Sequence, residues 1–164
     1  MAENEGLKWA SKKSLQTSVA KTRWNSEDII LARPEVFMNL SGEAVSRLAA
    51  AHIPLDISRD LLIVLDDIAL PFGRLRLRGK GTDGGHNGLK SIHTSLGTTA
   101  YPRLRMGIAP EKSSPAAVDL TAFVLESFGR EEKKAMGPVL EKACQACHLW
   151  ATESLASAMN VVNP

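Results

Sequence analysis

Apolar and polar residues alternate over short stretches in the first third of the chain, which is typical of strands. Residues 15–19 alternate, which predicts a strand with one buried face. Residues 29–32 form a short apolar strand that Pro34 brings to an end. A turn-rich segment joins the two, so we expect them to pair antiparallel. Residues 61–65 are continuously apolar, which predicts a strand covered on both faces.

Strand and helix patterns then alternate through the rest of the chain. Residues 74–78 read Arg-Leu-Arg-Leu-Arg, which predicts a strand with a leucine face and an arginine face. Residues 89–96 predict a short helix that a glycine directly after it would end, and residues 103–108 predict another strand. A helical pattern covers residues 130–159, and Gly137-Pro138 should break or kink it. Strands interleaved with helices predict an α/β fold.

Length and composition predict one domain spanning residues 1–164. A chain of this length can bury a substantial core, and 44% hydrophobic with 23% charged residues is ordinary for a globular protein. No apolar run approaches the ~20 residues that cross a bilayer, and the first residues lack the pattern of a signal peptide. Two cysteines three positions apart give no disulfide framework. We therefore expect a cytoplasmic protein without a membrane partner.

A glycine-rich loop follows the arginine strand. Residues 79–84 match the GxGxxG pattern of dinucleotide-binding proteins. That fingerprint requires an acidic residue about 20 positions later to bind a ribose hydroxyl, but residues 101–105 read Tyr-Pro-Arg-Leu-Arg. Dinucleotide binding is therefore a weak alternative.

A second familiar motif lies near the C-terminus. Residues 144–148 read Cys-Gln-Ala-Cys-His, which matches the attachment motif of c-type haem. Covalent attachment normally requires export, and no export signal is visible. Ala143, Cys147 and Ala151 also follow helical spacing, and cysteine suits a buried packing face. We interpret the cysteines as packing residues and expect no cofactor.

Two carboxylates, Asp66 and Asp67, directly follow the continuous apolar run. Ligand sites of open α/β sheets gather at the carboxyl ends of strands, but neighbouring side chains on an extended backbone point to opposite faces. Only one of the two is therefore expected to face a cleft, and a solvated pair in a turn is the alternative. No further carboxylate or histidine stands at ligand spacing, so we expect no metal.

Basic residues cluster on one predicted strand face, although the net charge of the chain is only +2. Arg74, Arg76 and Arg78 share that face, and Lys90 and Arg105 follow downstream. The planar guanidinium pairs with two phosphate oxygens, and a loop rich in backbone donors also suits a polyanion. The pattern favours RNA or another phosphate ligand over the alternative of a solvated face.

Three polar residues suit either a structural or a ligand-binding role. His86 and Asn87 lie between glycines, where backbone can approach a ligand closely, but Asn87 also fits the start of the following helix as a cap. Asn39 precedes another predicted helix, whose N-cap could be Asn39 or Ser41. The pattern alone leaves both roles open.

Four segments of the chain combine these residues. In chain order they are Phe37-Met38-Asn39-Leu40-Ser41-Gly42, Leu65-Asp66-Asp67 with Leu70-Pro71-Phe72-Gly73, Gly84-Gly85-His86-Asn87-Gly88-Leu89-Lys90, and Arg103-Leu104-Arg105-Met106-Gly107-Ile108. This set resembles the bacterial-type peptidyl-tRNA hydrolases. The order and spacing agree over essentially the whole chain, and the combination is far more specific than any one segment.

The resemblance implies a single α/β domain with a twisted mixed β-sheet flanked by helices. It implies a cytoplasmic monomer that uses no metal or cofactor. It also implies cleavage of the ester that joins a peptide to the 3′ end of tRNA, which recycles tRNA from stalled translation. Asn39 and Asn87 would contact the peptidyl-tRNA end, Phe37 and Met38 would shape the cleft, and His86 would lie beside it.

The resemblance also implies roles for charged residues further along the chain. Asp66 would orient and stabilise a catalytic histidine, Arg78 and Arg105 would hold tRNA phosphate, and residues 109–124 would form a lid. Asp66 is then expected to converge with Asn39 and Asn87 in one groove whose rim carries the arginines.

One part of the family pattern has no counterpart in these 164 residues. Family members carry a first strand, a GNPG-like turn and a TRHN-like motif with the catalytic histidine, whereas the four histidines here stand in no such motif: His52, His86, His93 and His148. Losing a general base typically costs about 10²–10⁴-fold in rate, and a carboxylate with a reference pKa near 4 is a poor substitute.

We therefore expect either a hydrolase whose reading frame starts further upstream or a chain that is shortened at its N-terminus. In both cases we expect greatly reduced activity from these 164 residues and an unpaired sheet edge. A non-catalytic tRNA-binding or RNA-binding module on the same fold is the alternative.

Overall fold

The computed structural model describes residues 1–2, 5–109, 123–124 and 126–163, and all statements below concern these residues. The strands are β1 (Ala10–Lys12), β2 (Thr17–Trp24), β3 (Glu27–Pro34), β4 (Ile63–Pro71), β5 (Leu75–Arg78) and β6 (Arg103–Ala109). The helices are α1 (Ser41–Ala50), α2 (Ile57–Asp60), α3 (Asn87–Leu96), α4 (Arg130–Thr152) and α5 (Leu155–Val162), with 3₁₀ turns at Lys13–Leu15 and Met38–Leu40.

The chain forms two compact units, each assembled from two separate segments. The first unit combines Met1–Leu61 with Gly79–Tyr101, and the second combines Leu62–Arg78 with Pro102–Pro164. Whether residues 1–164 behave as one domain stays a prediction.

The first unit contains an antiparallel sheet in the order β1-β2-β3. β2 pairs with β3 along its full length, with Val19 opposite Ala32, as the alternating pattern predicts. Val19, Ala20 and Trp24 are buried. The indole N–H of Trp24 donates to Glu5 Oε1 at 2.9 Å, so the polar atom of this core residue is satisfied.

Two helices of the first unit pack closely against each other. α1 buries Ala44 and Val45, and α3 buries Leu89 and Ile92. α3 ends at Gly97, whose φ of 66° is the left-handed conformation that glycine adopts without steric cost. The predicted end of this helix is therefore confirmed.

The second unit contains a mixed sheet in the order β4-β6-β5. β4 runs parallel to β6, and β5 runs antiparallel to it. The leucine face of β5 is buried, as the alternation predicts. The predicted α/β class with a mixed sheet and helices is confirmed, although the six strands are divided between two three-stranded sheets.

The strand predicted at residues 61–65 differs from expectation in its position and burial. β4 begins at Ile63 and continues to Pro71, so both aspartates lie inside the strand and not beyond its end. The prediction that both faces are covered is wrong, since Val64 is 49% exposed. Among the described residues β4 pairs only with β6, which leaves it at the edge of its sheet.

The long C-terminal helical pattern is interrupted at a different place from the one predicted. α4 continues through Pro138, so the predicted break there is wrong. Gly137 offers a physical reason, because the residue before a proline is restricted partly through its Cβ, which glycine lacks. The interruption falls at Ser154 instead, whose Oγ accepts the Ser157 N–H at 3.0 Å and caps α5.

Most of the predicted lid at residues 109–124 lies outside the described residues. Within that range the structure describes only Ala109, Phe123 and Val124. None of the helices in the described part of the chain has the length and apolar content to cross a bilayer.

Candidate functional site

Asp83 stabilises the loop before α3. Asp83 Oδ1 accepts the Gly85 N–H at 2.8 Å, and the Asp83 carbonyl accepts the His86 N–H at 3.1 Å. Gly84 and Gly85 have φ values of 60° and 83°, which favour glycine. The Gly85 N–H holds the pKa of Asp83 below its ordinary value, and neighbouring His93 lowers it further. This compact turn presents His86 and the following residue at the start of α3.

His86 caps α3 with its side chain. Its Nδ1 accepts the backbone N–H of Leu89 at 3.2 Å. Because a backbone N–H can only donate, Nδ1 carries no proton, and the proton of the neutral ring lies on Nε2. The cap thus fixes the tautomer of His86, with its proton on the nitrogen that faces away from the helix end. His86 does not offer a basic lone pair at Nε2 while it caps the helix.

Neither asparagine of the candidate site caps a helix. Asn87 is the first residue of α3 and is exposed, while its neighbour His86 provides the cap. The N-cap of α1 is Leu40, and no side chain of the preceding turn caps that helix. Among the described residues, neither the Asn39 nor the Asn87 amide hydrogen-bonds another side chain. Both exposed amides are thus available to a ligand.

Met38 brings the two asparagine segments together. A Cβ built on Gly88 would lie 2.6 Å from Met38 Sδ and 2.9 Å from His86 Cε1, so the thioether packs directly on the first turn of α3. Phe37, the neighbour of Met38, is 80% exposed. The five predicted contact residues of the first unit therefore gather in one place: Phe37, Met38, Asn39, His86 and Asn87.

The two adjacent aspartates of the second unit have different environments. Asp67 is buried, with Oδ1 accepting the Ala69 N–H at 2.9 Å and Oδ2 lying 3.4 Å from Arg105 Nε. Asp66 pairs in register with Met106, on the opposite face by strand alternation. Asp66 belongs to the second unit and the asparagines to the first, and their convergence stays a prediction.

The arginines of the mixed sheet share a face but not an environment. In the ladder between β5 and β6, Arg76 lies opposite Arg105 and Arg78 lies opposite Arg103. Arg76 and Arg78 are exposed, whereas Arg103 is only 2% exposed and the Arg105 side chain 18%. The exposed cations are therefore on β5. The ion pair with Asp67 argues against the phosphate-binding role predicted for Arg105, which stays untested.

The motif CxxCH lies inside α4. Burial raises the pKa of the Cys147 thiol to about 12, so it stays protonated at neutral pH. Cys144 is half-buried and free. Both positions agree with the interpretation as packing residues. Within the described ranges, no cluster of three or more histidine, cysteine or acidic residues could hold a metal.

The other histidines of the described chain also have partners. His52 Nδ1 lies 2.8 Å from the Leu48 carbonyl, and His93 Nδ1 lies 4.0 Å from Asp83 Oδ2. His93 also packs against the Tyr101 ring with a centroid distance of 5.6 Å. His148 Nδ1 faces the Thr152 hydroxyl at 3.5 Å.

Sequence reasoning missed three features of these sites. Asp83 shapes the glycine loop, Asp67 neutralises Arg105, and Ser91 links α3 to α1. A carboxylate preceding two glycines is a recognisable turn signal and could have identified Asp83. The other two depend on contacts between distant segments, for which the sequence carries no local signal.

Each unit presents groups that suit a polar ligand. The exposed amides of the first unit suit carbonyl and hydroxyl oxygens, and the exposed arginines of β5 in the second unit suit phosphate. A model of the peptidyl-tRNA hydrolase family matches residues 1–164. The chain belongs to the peptidyl-tRNA hydrolase family.

Individual relatives agree with this assignment. The chain is 38% identical over 164 residues to a peptidyl-tRNA hydrolase of Chloroflexus aggregans, a match that covers 100% of the chain and 85% of the relative. It is 40% identical over 159 residues to one from Desulfitobacterium hafniense, covering 97% and 83% respectively. The crystal structure of peptidyl-tRNA hydrolase from Acinetobacter baumannii matches with a TM-score of 0.86 at 25% identity, covering 99% of this chain and 80% of that one.

Proposed function

We propose that this protein acts on peptidyl-tRNA and cleaves the ester between the peptide and the tRNA. The observation that carries the proposal is the family match over the whole chain, and the exposed amides of Asn39 and Asn87 support it. The peptide and the terminal nucleotide of such a substrate offer many carbonyl and hydroxyl groups, which suit amide partners. We expect the protein to work in the cytoplasm as a monomer, without metal or cofactor.

The predicted residues of the first unit have positions that suit substrate binding. Asn39 and Asn87 orient the substrate end, and Phe37 with Met38 forms an apolar wall beside them. His86 lies beside these residues and caps α3, which holds Asn87 at the start of that helix.

In the second unit, Arg78 is an exposed cation for a tRNA phosphate. Asp66 is the carboxylate for a catalytic histidine, as the resemblance implies. We keep Arg105 as a second candidate phosphate contact, although its pairing with Asp67 counts against it.

Hydrolysis requires a base that takes a proton from water, and His86 is poorly suited to that role while it caps α3. We therefore expect low turnover from the 164-residue polypeptide when it is assayed alone. The measurement is release of peptide from N-acetylated peptidyl-tRNA. The same release is measured for a longer polypeptide, in which a segment carrying a GNPG-like turn and a TRHN-like motif precedes the 164 residues. Asp66→Asn is made in both polypeptides. Equal turnover by the two polypeptides would contradict this account of the base.

A non-catalytic RNA-binding module is the second candidate, and it is favoured by the use of His86 Nδ1 as the cap of α3, which keeps that nitrogen from acting as a base. Such a protein would bind deacylated tRNA and peptidyl-tRNA without releasing peptide from either form of the polypeptide. Ester cleavage above the buffer rate by the extended polypeptide, abolished by Asp66→Asn, would exclude this candidate.

A further inference from the structure

The first turn of α1 receives its cap from another helix. The first four N–H groups of a helix have no partner inside it, and Leu40, the N-cap of α1, supplies no side-chain acceptor. Ser91 of α3 fills this role, because its Oγ accepts the Gly42 N–H at 3.0 Å. Because Gly42 is buried, water does not readily replace the Ser91 hydroxyl. Leaving the Gly42 N–H without an acceptor would therefore lower the stability of the fold.

The two helices approach closely at the same point. A Cβ on Gly42 would overlap the backbone carbonyl of Ser91, so only glycine fits between the helices without a shift. The Ser91 hydroxyl therefore fixes the start of α1 relative to α3 at backbone distance. Ser91 and Gly42 thus form a clamp, which we call the serine clamp.

The serine clamp lies next to both asparagines in sequence. Gly42 follows Asn39 by three residues, and Ser91 follows Asn87 by four, which is about one helical turn. The contact of Met38 with Gly88 joins the same two segments at the sequence neighbours of Asn39 and Asn87. The separation of the two amides is therefore set by the serine clamp and by Met38 together.

We infer that Ser91 is a positioning residue for substrate binding, which acts by holding Asn39 at its working distance from Asn87. The inference rests on the proposed function, since it gives Ser91 a purpose only if the amides bind the peptidyl end. Ser91 itself touches no substrate. Its loss releases the Gly42 N–H and lets the turn that carries Asn39 shift relative to α3.

The test measures binding of a defined probe that cannot be hydrolysed. The probe is a CCA trinucleotide that carries an N-acetyl dipeptide through a 3′-amide, and binding is followed by calorimetry. Ser91→Ala should weaken binding of the probe roughly three- to tenfold, in line with a misplaced hydrogen-bonding group. Binding of deacylated tRNA and its salt dependence should stay unchanged, because those report on phosphate contacts.

Two further variants separate positioning from a general loss of structure. Ser95→Ala makes the same chemical change one turn later on α3, beside the same Gly42, and should leave probe binding unchanged. Ser91→Cys retains a polar atom at the same position, although a larger one that accepts more weakly, and should give an intermediate loss if Ser91→Ala proves too unstable to assay.

A double-mutant cycle with Asn39→Ala decides the inference. If Ser91 acts through Asn39, Ser91→Ala weakens binding in the parent protein and adds nothing in the Asn39→Ala background. An equal loss in both backgrounds, or none in either, overturns the inference and leaves the proposed function standing. If Asn39→Ala itself does not weaken probe binding, the proposed site fails and the inference fails with it.

Discussion

At the scale of single residues, two arginines on one sheet face are expected to do different work. Arg78 is exposed, whereas Arg105 is largely buried and lies 3.4 Å from the Asp67 carboxylate. Arg78→Ala should weaken tRNA binding, reduce the slope of its salt dependence by about 1 and barely change stability. Arg105→Ala should lower the free energy of unfolding by about 3–5 kcal/mol, because it leaves a buried carboxylate without its partner.

The two arginine variants are compared by denaturant unfolding and by tRNA binding between low and moderate salt. Asp67→Ala combined with Arg105→Ala should cost less stability than the sum of the two changes, since removing both charges leaves neither unpaired. A flattened salt dependence for Arg105→Ala at unchanged stability would instead support the phosphate contact that the family resemblance implies.

The role of individual polar residues was the least predictable part of the site. The sequence left Asn39, His86 and Asn87 open between capping and ligand binding, because all three residue types serve both purposes. The fold assigns the cap of α3 to His86 and that of α1 to Ser91, which frees both asparagines. Which residue caps α1 depends on the contact between α1 and α3, two helices that are distant in sequence. No spacing along the chain predicts that contact.

At the scale of elements, the crossing of α1 and α3 depends on having no side chain at Gly42. Gly42→Ala should lower the free energy of unfolding by about 1–3 kcal/mol, the usual cost of overpacking, because the new methyl meets the Ser91 backbone, which cannot rotate away. Gly88→Ala is the matched comparison, since its methyl meets the side chains of Met38 and His86. It should cost less stability and still impair probe binding. Equal stability of both variants and the parent would contradict this packing.

The edge of the mixed sheet gives a prediction for self-association. β4 has no second strand partner among the described residues, and Val64 on it is 49% exposed. An apolar edge strand promotes pairing between copies, and lysine suppresses it. Val64→Lys should therefore reduce concentration-dependent light scattering. Leu140→Lys on α4, where leucine is 48% exposed but no strand edge is present, should change it little. Equal effects would mean that exposed apolar area alone drives association.

The other edge strand of that sheet is protected differently. The Asn163 side chain accepts the Leu77 N–H at 3.0 Å and donates to the Leu77 carbonyl at 2.8 Å, so it imitates a neighbouring strand at one position of β5. This pairing joins residues far apart in sequence, and no local pattern announces it. β4 has no comparable cover within the described ranges.

Element types and the antiparallel pairing of β2 with β3 were predicted well from local patterns, whereas several element limits and the other strand partners were not. The alternation in β2 and β5 and the glycine at the end of α3 act locally, so the sequence reveals them. The division of the strands between two sheets and the start of β4 at Ile63 depend on which segments meet. α4 continues through Pro138, which shows that a helix can tolerate a proline when the residue before it is as small as glycine.

At the scale of the whole molecule, each compact unit is built from segments that are distant in the chain. The loop with His86 joins Asn39 in the first unit, while β4 and β5 join β6 and the C-terminal helices in the second. Periodicity cannot reveal such assembly. The family resemblance did predict the overall fold, because the order and spacing of the four motifs are characteristic of the complete fold.

Stability at alkaline pH tests the packing of α4 within the second unit. Burial raises the pKa of Cys147 to about 12, against an ordinary value of 9.0. The folded protein thus holds this proton more tightly than the unfolded chain, and the stabilisation is complete below pH 9 and declines as pH rises from there towards 12.

Cys147→Ala should flatten this decline in the free energy of unfolding, measured by denaturant titration at several pH values. Cys144→Ala, which removes the half-buried thiol one turn earlier, should retain it. If the free energy of unfolding declines as steeply in Cys147→Ala as in the parent, the thiol has the same pKa in the folded and unfolded states. Cys147 would then not be buried on this face of α4.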